Sequence, residues 1–241
     1  MDKLLVIIPT YNEKENIAKI IAAVFALPVR FEILVIDDGS PDGTAAIVSE
    51  LMQHHPDQLH LLKRKGKLGL GTAYIAGFKW GLERYYSHFF EMDADFSHNP
   101  KDLVRLYKAC QAGGDLAVGS RYVKGGKLEN WPFDRIFLSK GASFYVRLIT
   151  WMPVMDPTAG FVCYTRNVLS NINLDKIQFV GYAFQIEMKY AARQKGFSIV
   201  EVPITFTDRV EGASKMSGGI VKEAIFGVLK MRIKALTGYY H

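Results

Sequence analysis

Short apolar runs of strand length alternate along the chain with longer segments of helical period. Residues 4–8 and 33–36 are uninterrupted apolar runs, the pattern of strands buried on both faces. Between them, residues 13–25 place Ile17, Ile20, Ile21 and Val24 at three- and four-residue spacing, which predicts an amphipathic helix. Asn12 reads as its N-cap, with Glu13 and Glu15 in the first turn, where the helix dipole favours negative charge. The theme repeats as helix 43–54, strand 59–62, helix 71–85, strand 89–92, helix 101–112 and strand 116–118. Such alternation predicts a parallel sheet covered by helices on both sides. After about Ser120 the rhythm breaks. Gly125-Gly126, Trp131-Pro132 and Asp156-Pro157 punctuate irregular stretches around a helix at 136–151, then come a helix at 184–194 and a strand at 198–204. The expected organisation is one compact domain over 1–218, with a nucleotide-fold half at 1–120 and a half completing the site at 121–218. An amphipathic helix is expected over 219–241.

Composition fits that picture. The 241 residues are 49% apolar and 22% charged, ordinary values for a soluble domain that buries roughly 70% of its unfolded surface. Disorder, collagen-like repeats and a disulfide scaffold do not fit. Cys110 and Cys163 have no metal-ligand spacing and predict two reduced, buried thiols. The apolar run near the N-terminus is too short for a signal peptide, and no stretch nears roughly 18 uninterrupted apolar residues, so a cytoplasmic protein is expected. Charge is the one unusual number: 30 Lys+Arg against 24 Asp+Glu, a net of +6 with pI near 9.1. It invites nucleic-acid, phosphate or anionic-membrane partners.

In open α/β sheets, ligands bind beyond the carboxyl ends of the strands. Four predicted strand ends carry acids, hydroxyls or an Arg: Pro9 to Glu13, Asp37 to Gly43, Asp93-Ala94-Asp95, and Gly119-Ser120-Arg121. Asp93 and Asp95, on alternate residues of extended backbone, can face one hard cation, and Mg²⁺ or Mn²⁺ prefers such ligands together with substrate phosphates. Asp37-Asp38 supplies a second acidic cluster, and carboxylate groups at neighbouring strand ends repel unless a cation or donor ligand lies between them. Asp42 reads as a turn and capping residue before Gly43. No dinucleotide glycine fingerprint, P-loop or nucleophile elbow is present, and Gly69 and Gly71 read as letting a loop enter a helix. His98 follows the acidic pair closely enough for ligation, with loop capping as the competing role.

These residues carry a resemblance. Pro9-Thr10-Tyr11-Asn12-Glu13, Glu15-Asn16-Ile17 and the run from Val35 to Thr44 resemble a family 2 inverting glycosyltransferase of the GT-A fold. More narrowly, the chain resembles the dolichol-phosphate (polyprenol-phosphate) mannose synthases. Residues 67–77, 92–100, 119–122, Arg135 with 139–142, 156–161, 181–188 and 206–215 match in the expected order, so the resemblance spans 3 to about 218. It implies a Rossmann-like, mostly parallel sheet flanked by helices. It also implies transfer of mannose from GDP-mannose to a polyprenyl monophosphate with inversion, giving polyprenyl phosphate β-mannose. Pro9, Tyr11, Glu13, Asp37 and Asp38 would hold the donor, and Asp93 with Asp95 its diphosphate through Mg²⁺ or Mn²⁺. Arg209 and Lys215 would neutralise that diphosphate. Arg121, Arg135 and Ser139 match acceptor-phosphate positions and, with Asp95, form the implied catalytic set. A phosphate acceptor is already anionic, so Glu187, in the base region of related transferases, competes between base and orienting roles.

Two departures stand out: Val162-Cys163 follows Phe161 where family members commonly carry Arg, and Ser97 stands where some relatives carry Gln. Residues 220–236 predict a helix with a broad apolar face, either packed on the domain or lying in a membrane interface. Residues 209–241 hold six cations and two acids, a net of +4, which assigns much of the charge to phosphate and lipid headgroups. No nucleic-acid motif is present. The expected partners are GDP-mannose, polyprenyl phosphate and the cytoplasmic face of a membrane, where the protein would be peripheral, with room for a membrane-anchored partner subunit. The alternatives are another donor such as UDP-glucose, a non-lipid acceptor, or a catalytically silent sugar-nucleotide-binding module.

Overall fold

The computed structural model describes residues 2–181, 183–208 and 218–240, apart from the side chains of 218–225. The first half alternates as the periodicity predicts: β1 (Leu4–Thr10), α1 (Ile17–Phe25), β2 (Glu32–Asp37), α2 (Thr44–His54), β3 (Leu59–Lys63), α3 (Leu70–Glu83), β4 (His88–Glu91), α4 (Asp102–Gln111) and β5 (Leu116–Ser120). The second half holds β6 (Lys127–Glu129), α5 (Phe133–Thr150), β7 (Val162–Thr165), α6 (Arg166–Asn171), α7 (Ala183–Gln194), β8 (Ile199–Pro203), β9 (Thr205–Thr207) and α8 (Gly218–Leu236).

Seven strands form one sheet in the order β3-β2-β1-β4-β7-β5-β8. All are parallel except β7, which runs antiparallel between β4 and β5. Sequence reading left β7 as irregular chain. Its four residues are too few to show a period, yet Val162, Cys163 and Tyr164 are wholly buried. That burial also explains one departure: an Arg at 162 or 163 would lose its hydration in the middle of the sheet. Alternate strand residues feed two cores. Leu5, Ile7, Leu34 and Phe89 pack with α3, α7 and α8, while Val6, Ile8, Ile33 and Phe90 pack with α1, α2 and α4. Cys110 and Cys163 are free and buried, with sulfurs 3.5 Å apart, as two reduced thiols should be.

α1 begins at Ile17, four residues later than its apolar spacing predicts, and Asn12 is not its cap. Asn12 sits at φ 60°, and Asn16 occupies the cap position without a side-chain capping bond. The backbone N–H groups that would start an earlier helix are spent elsewhere. Those of Asn12, Glu13 and Lys14 donate to Ser40 Oγ (3.0 Å), Thr44 Oγ1 (3.0 Å) and Asp42 Oδ2 (3.1 Å). The segment after β1 is thereby tied to the segment after β2. Asp42 also accepts the Thr44 N–H, the turn role expected of it.

Gly69 enters α3 at φ 100°, where a side chain would be strained. Gly71 allows close packing: a Cβ there would lie 2.7 Å from the Phe184 ring. α8 packs on the domain by one face and leaves apolar residues exposed on another. Val228, Met231 and Ala235 are buried against the domain, whereas Phe226, Leu229, Ile233 and Leu236 are exposed on the other side. Among the described residues no helix is long and apolar enough to cross a membrane.

Candidate active site

The carboxyl ends of β1, β2, β4 and β5 form one rim, because parallel strands on adjacent tracks all finish on the same side. At β2, Asp37 is buried and accepts from Thr10 Oγ1 (3.1 Å) and from the Ser40 N–H (3.0 Å). Asp38 makes a two-point ion pair with Arg64, at 2.6 and 2.8 Å. Asp37 and Asp38 thus each have their own protein donors. Arg64, which also donates to Thr72 Oγ1, follows β3 and was not singled out by sequence. Lys67 lies over the Tyr11 ring at 5.2 Å, and Glu13 Oε2 accepts from Asn16 at 3.1 Å. Tyr11, Glu13, Asp37 and Asp38 therefore meet at one end of the rim.

Asp93 and Asp95 follow β4. Asp95 is buried and its Oδ1 accepts the Ser97 N–H at 3.0 Å, while the Asp93 side chain is 40% exposed. His98 neither caps the loop by its side chain nor points away. It is stacked on Phe161, its Nδ1 lies 4.0 Å from Asp93 Oδ2, and that nitrogen has no hydrogen-bond partner. Burial pushes its pKa down to about 4, so the ring is neutral near pH 7. The buried Ser97 Oγ is likewise unpartnered. Two carboxylates flanked by orphaned polar atoms suit a hard divalent cation. Among the described residues no group of three or more His, Cys, Asp or Glu could hold an ion unaided. Such a cation would complete its shell with phosphate oxygens and water, as Mg²⁺ and Mn²⁺ do.

Beneath this pair lies a buried polar layer. Burial raises the Glu91 carboxyl to about 8 and lowers the Lys189 ammonium to about 8. Lys189 is wholly buried on α7, with Nζ donating to Ala159 O (2.6 Å) and Gln185 O (3.0 Å). Its signal in the sequence is a lone Lys among Phe184 to Ala192.

At β5, Arg121 is held by Asp156, with Nε at 2.7 Å and Nη2 at 2.7 Å, and by Thr158 at 2.9 Å. Burial alone would raise the Asp156 carboxyl, but the hydrogen bonds and charge of Arg121 hold it below its usual value. Arg135 lies 3.9 Å over the Trp131 ring and 2.9 Å from Asp208 Oδ2. Arg121 faces the same ring at 5.7 Å, and Ser139 Oγ accepts the Tyr122 hydroxyl at 2.6 Å. The three residues expected at an acceptor phosphate thus gather around Trp131 and Tyr122. Trp131 had been read only as loop punctuation. Arg209 and Lys215 lie outside the described residues.

Glu187 is fully buried on α7 and accepts the N–H groups of Gln178 (2.8 Å) and Phe179 (3.0 Å) and the Tyr240 hydroxyl (2.9 Å). Val180 O in turn accepts the Gly71 N–H at 2.9 Å, so this carboxylate secures the segment that meets the start of α3. Its geometry is that of an orienting group. Glu187→Ala should lower stability by about 2–4 kcal/mol by leaving those donors unpaired, measured by urea unfolding. A loss below about 0.5 kcal/mol would contradict this assignment.

Glycosyl transferase family 2 matches residues 5–172. The chain is 51% identical over 232 residues to a polyprenol monophosphomannose synthase of Mycolicibacterium smegmatis, covering 96% of this chain and 88% of that protein. It is 45% identical to an undecaprenyl-phosphate mannosyltransferase of Micrococcus luteus, covering 97% and 95%. It is 38% identical to a dolichol-phosphate mannosyltransferase of Pyrococcus furiosus, covering 95% of this chain and 63% of that one. In fold it is similar to glucosyl-3-phosphoglycerate synthase of Mycobacterium tuberculosis, solved with Mn²⁺, UDP-glucose and glycerol 3-phosphate (TM-score 0.64, 15% identity, 97% and 80% covered). It is likewise similar to a mannosyltransferase of Pyrobaculum calidifontis solved with GDP-mannose and Mn²⁺ (TM-score 0.58, 15% identity, 98% and 74% covered). With a mostly parallel sheet of the GT-A type, an acidic pair at the end of β4 and a sequence match across most of its length, the chain belongs to glycosyl transferase family 2.

Proposed function

We propose that the chain transfers mannose from GDP-mannose to the phosphate of a polyprenyl (dolichyl-type) lipid, with inversion at the anomeric carbon. The observation that carries this reading is the state of the carboxylates on the acceptor side. Asp156 is committed to Arg121, Asp208 to Arg135, Glu201 to the N–H groups of Met155 and Asp156, and Glu187 to three donors. None of them is placed as a general base, while three cations, Arg121, Arg135 and Lys140, lie on this side. An acceptor that is already an anion needs no base, and a phosphate monoester is such an acceptor near neutral pH.

Pro9, Tyr11, Glu13, Asp37 and Asp38 bind the donor, the first four at its base and ribose end, with Asp38 braced by Arg64. Asp93 and Asp95 would hold a divalent cation, which would supply stabilisation of the charge on the departing nucleoside diphosphate. By the resemblance, Arg209 and Lys215, outside the described residues, would neutralise the same diphosphate. Arg121, Arg135 and Ser139 orient the acceptor phosphate for in-line attack. Its oxygen forms the bond to the anomeric carbon as the bond to GDP breaks, so an α-linked donor yields a β-linked lipid phosphate.

The lipid tail stays in the bilayer. Phe137, Phe144 and Leu148 on α5 and Phe226, Ile233 and Leu236 on α8 are all exposed, on helices that pack against each other. With Lys140 and Lys230 nearby in sequence, they make an apolar, cationic face suited to an anionic membrane surface, and residues 219–241 serve that face. Changing Phe137 and Ile233 together to Glu should weaken sedimentation with anionic vesicles by about tenfold or more, without altering the unfolding temperature. Unchanged sedimentation would remove the membrane assignment.

The activity test is direct. Radiolabelled GDP-mannose, Mg²⁺ or Mn²⁺ and a polyprenyl phosphate are incubated with the protein, and label should enter the organic phase. No transfer, with label from UDP-glucose entering instead, would reassign the donor. Label appearing only on water-soluble acceptors would reassign the acceptor.

A further inference from the structure

A cavity of about 410 Å³ opens between the loop after β5 and helix α5. Arg121 and Tyr122 line one side, and Lys140, Ser143, Phe144 and Arg147 line the other. The three- and four-residue spacing of the α5 positions stacks them along one face of the helix. Three of the lining residues are cations, and no carboxylate lines the cavity. The Arg121 charge is met by Asp156. No ion pair is recorded for Lys140 or Arg147 among the described residues. Ser143 is 3% exposed, yet its Oγ has no hydrogen-bond partner, and the buried Nε of Arg147 has none either.

Buried polar atoms without partners are uncommon in folded proteins and call for a ligand or water. Here they sit in a cavity whose charged groups are all positive, one to two helical turns beyond Ser139. Phosphate oxygens suit them: Arg binds phosphate in a two-point fork, and Lys and Ser supply further donors. The cavity is of the size that holds small ligands. Phe144 is 64% exposed at its side and leads to the apolar outer face of α5, where Phe137 and Leu148 are exposed. The ligand that matches both halves is an amphiphile with a phosphate head and a hydrocarbon tail.

We infer that this cavity is a docking subsite for the phosphomonoester of a prenyl lipid, with Lys140, Ser143 and Arg147 as its ligands, adjoining the position at Arg121, Arg135 and Ser139. The inference rests on the proposed acceptor class but not on the donor. A phosphate arriving from the membrane face meets Lys140 and Arg147 first, and Arg121 links the two positions.

The test measures binding of a short-chain prenyl monophosphate, inorganic phosphate and the matching prenyl alcohol by titration calorimetry. The full chain is used without donor. The prenyl phosphate should bind, inorganic phosphate more weakly, and the alcohol not measurably. Changing Lys140 and Arg147 together to Met should weaken prenyl phosphate binding by about tenfold to a hundredfold. Arg147→Lys should restore part of it, and GDP-mannose binding should stay at the parental value. In turnover assays the change should fall on the acceptor KM rather than on kcat. Parental affinity and acceptor KM in a folded double Met variant would overturn the subsite. Weakening for inorganic phosphate, with none for the prenyl phosphate, would also overturn it by making the site one for free phosphate. If prenyl phosphate binds and the variant loses it, yet no mannose is transferred, the subsite stands and the proposed reaction fails.

Discussion

Exchanging Asp95 for Asn is expected to lower turnover by about three orders of magnitude while leaving the unfolding midpoint unchanged. Asp95 is buried, and its Oδ1 accepts the Ser97 N–H within the loop after β4. Asn keeps that acceptor oxygen, so the turn survives. It removes the charge that, with Asp93, would hold a divalent cation beside the orphaned Ser97 Oγ and His98 Nδ1. Chelating divalent cations should reproduce the loss in the parent and have no further effect on the variant. Turnover within about tenfold of the parent would remove Asp95 from the metal site. A fall in the unfolding midpoint to match the lost activity would make Asp95 a structural residue. Asp95→Ala is a poorer probe, since it also strips the loop of its acceptor.

The largest stability effect is expected at Asp156. Changing it to Ala should destabilise the fold by about 3–5 kcal/mol, because the mostly buried Arg121 charge loses the carboxylate that its two-point bond is built on. The side chain of Asp156 is fully buried and that of Arg121 only 10% exposed. Three hydrogen bonds from Arg121, one of them from its backbone N–H, converge on the carboxylate. Those bonds and the Arg121 charge outweigh burial and hold the Asp156 pKa below 3.8. The sign of the linkage follows. A carboxyl depressed in the folded state stabilises it at pH values above its unfolded pKa, and that contribution fades as pH falls through the folded pKa. The gap between parent and Asp156→Ala should therefore be full near neutrality and narrow in strong acid. Urea unfolding at the two pH values measures it. A gap that stays constant, or is absent at neutral pH, would contradict the role of the pair. Acceptor KM should rise as well, since Asp156 sets the direction in which Arg121 points.

Much of the donor half was legible in the chain. The apolar runs at β1 and β2 and the acidic pair after β4 are local patterns, and parallel topology brings successive strand ends to one rim. The start of α1 was not legible, because its first N–H groups are claimed by Ser40, Asp42 and Thr44, residues 28 to 31 positions away. β7 was missed because four buried residues show no period. The partners of Asp37 and Asp38 were not legible either, because Arg64 reaches Asp38 and the Thr10 and Ser40 donors reach Asp37 only in the folded chain. Lys189, Trp131 and the Lys140–Arg147 face are chemically plain in the sequence, but their neighbours come from elements distant along the chain.

The sequence by itself determined the alternation of strands and helices, the family and which residue types stand at the strand ends, since these depend on periodicity and chain order. Only the tertiary structure decided which charges are already spoken for. Asp38 meets Arg64 across 26 residues, Arg121 meets Asp156 across 35, and Arg135 meets Asp208 across 73. An ionised side chain is shaped as a site by what lies within about 3 Å of it, and contacts of that reach are set by packing between elements rather than by spacing along the chain.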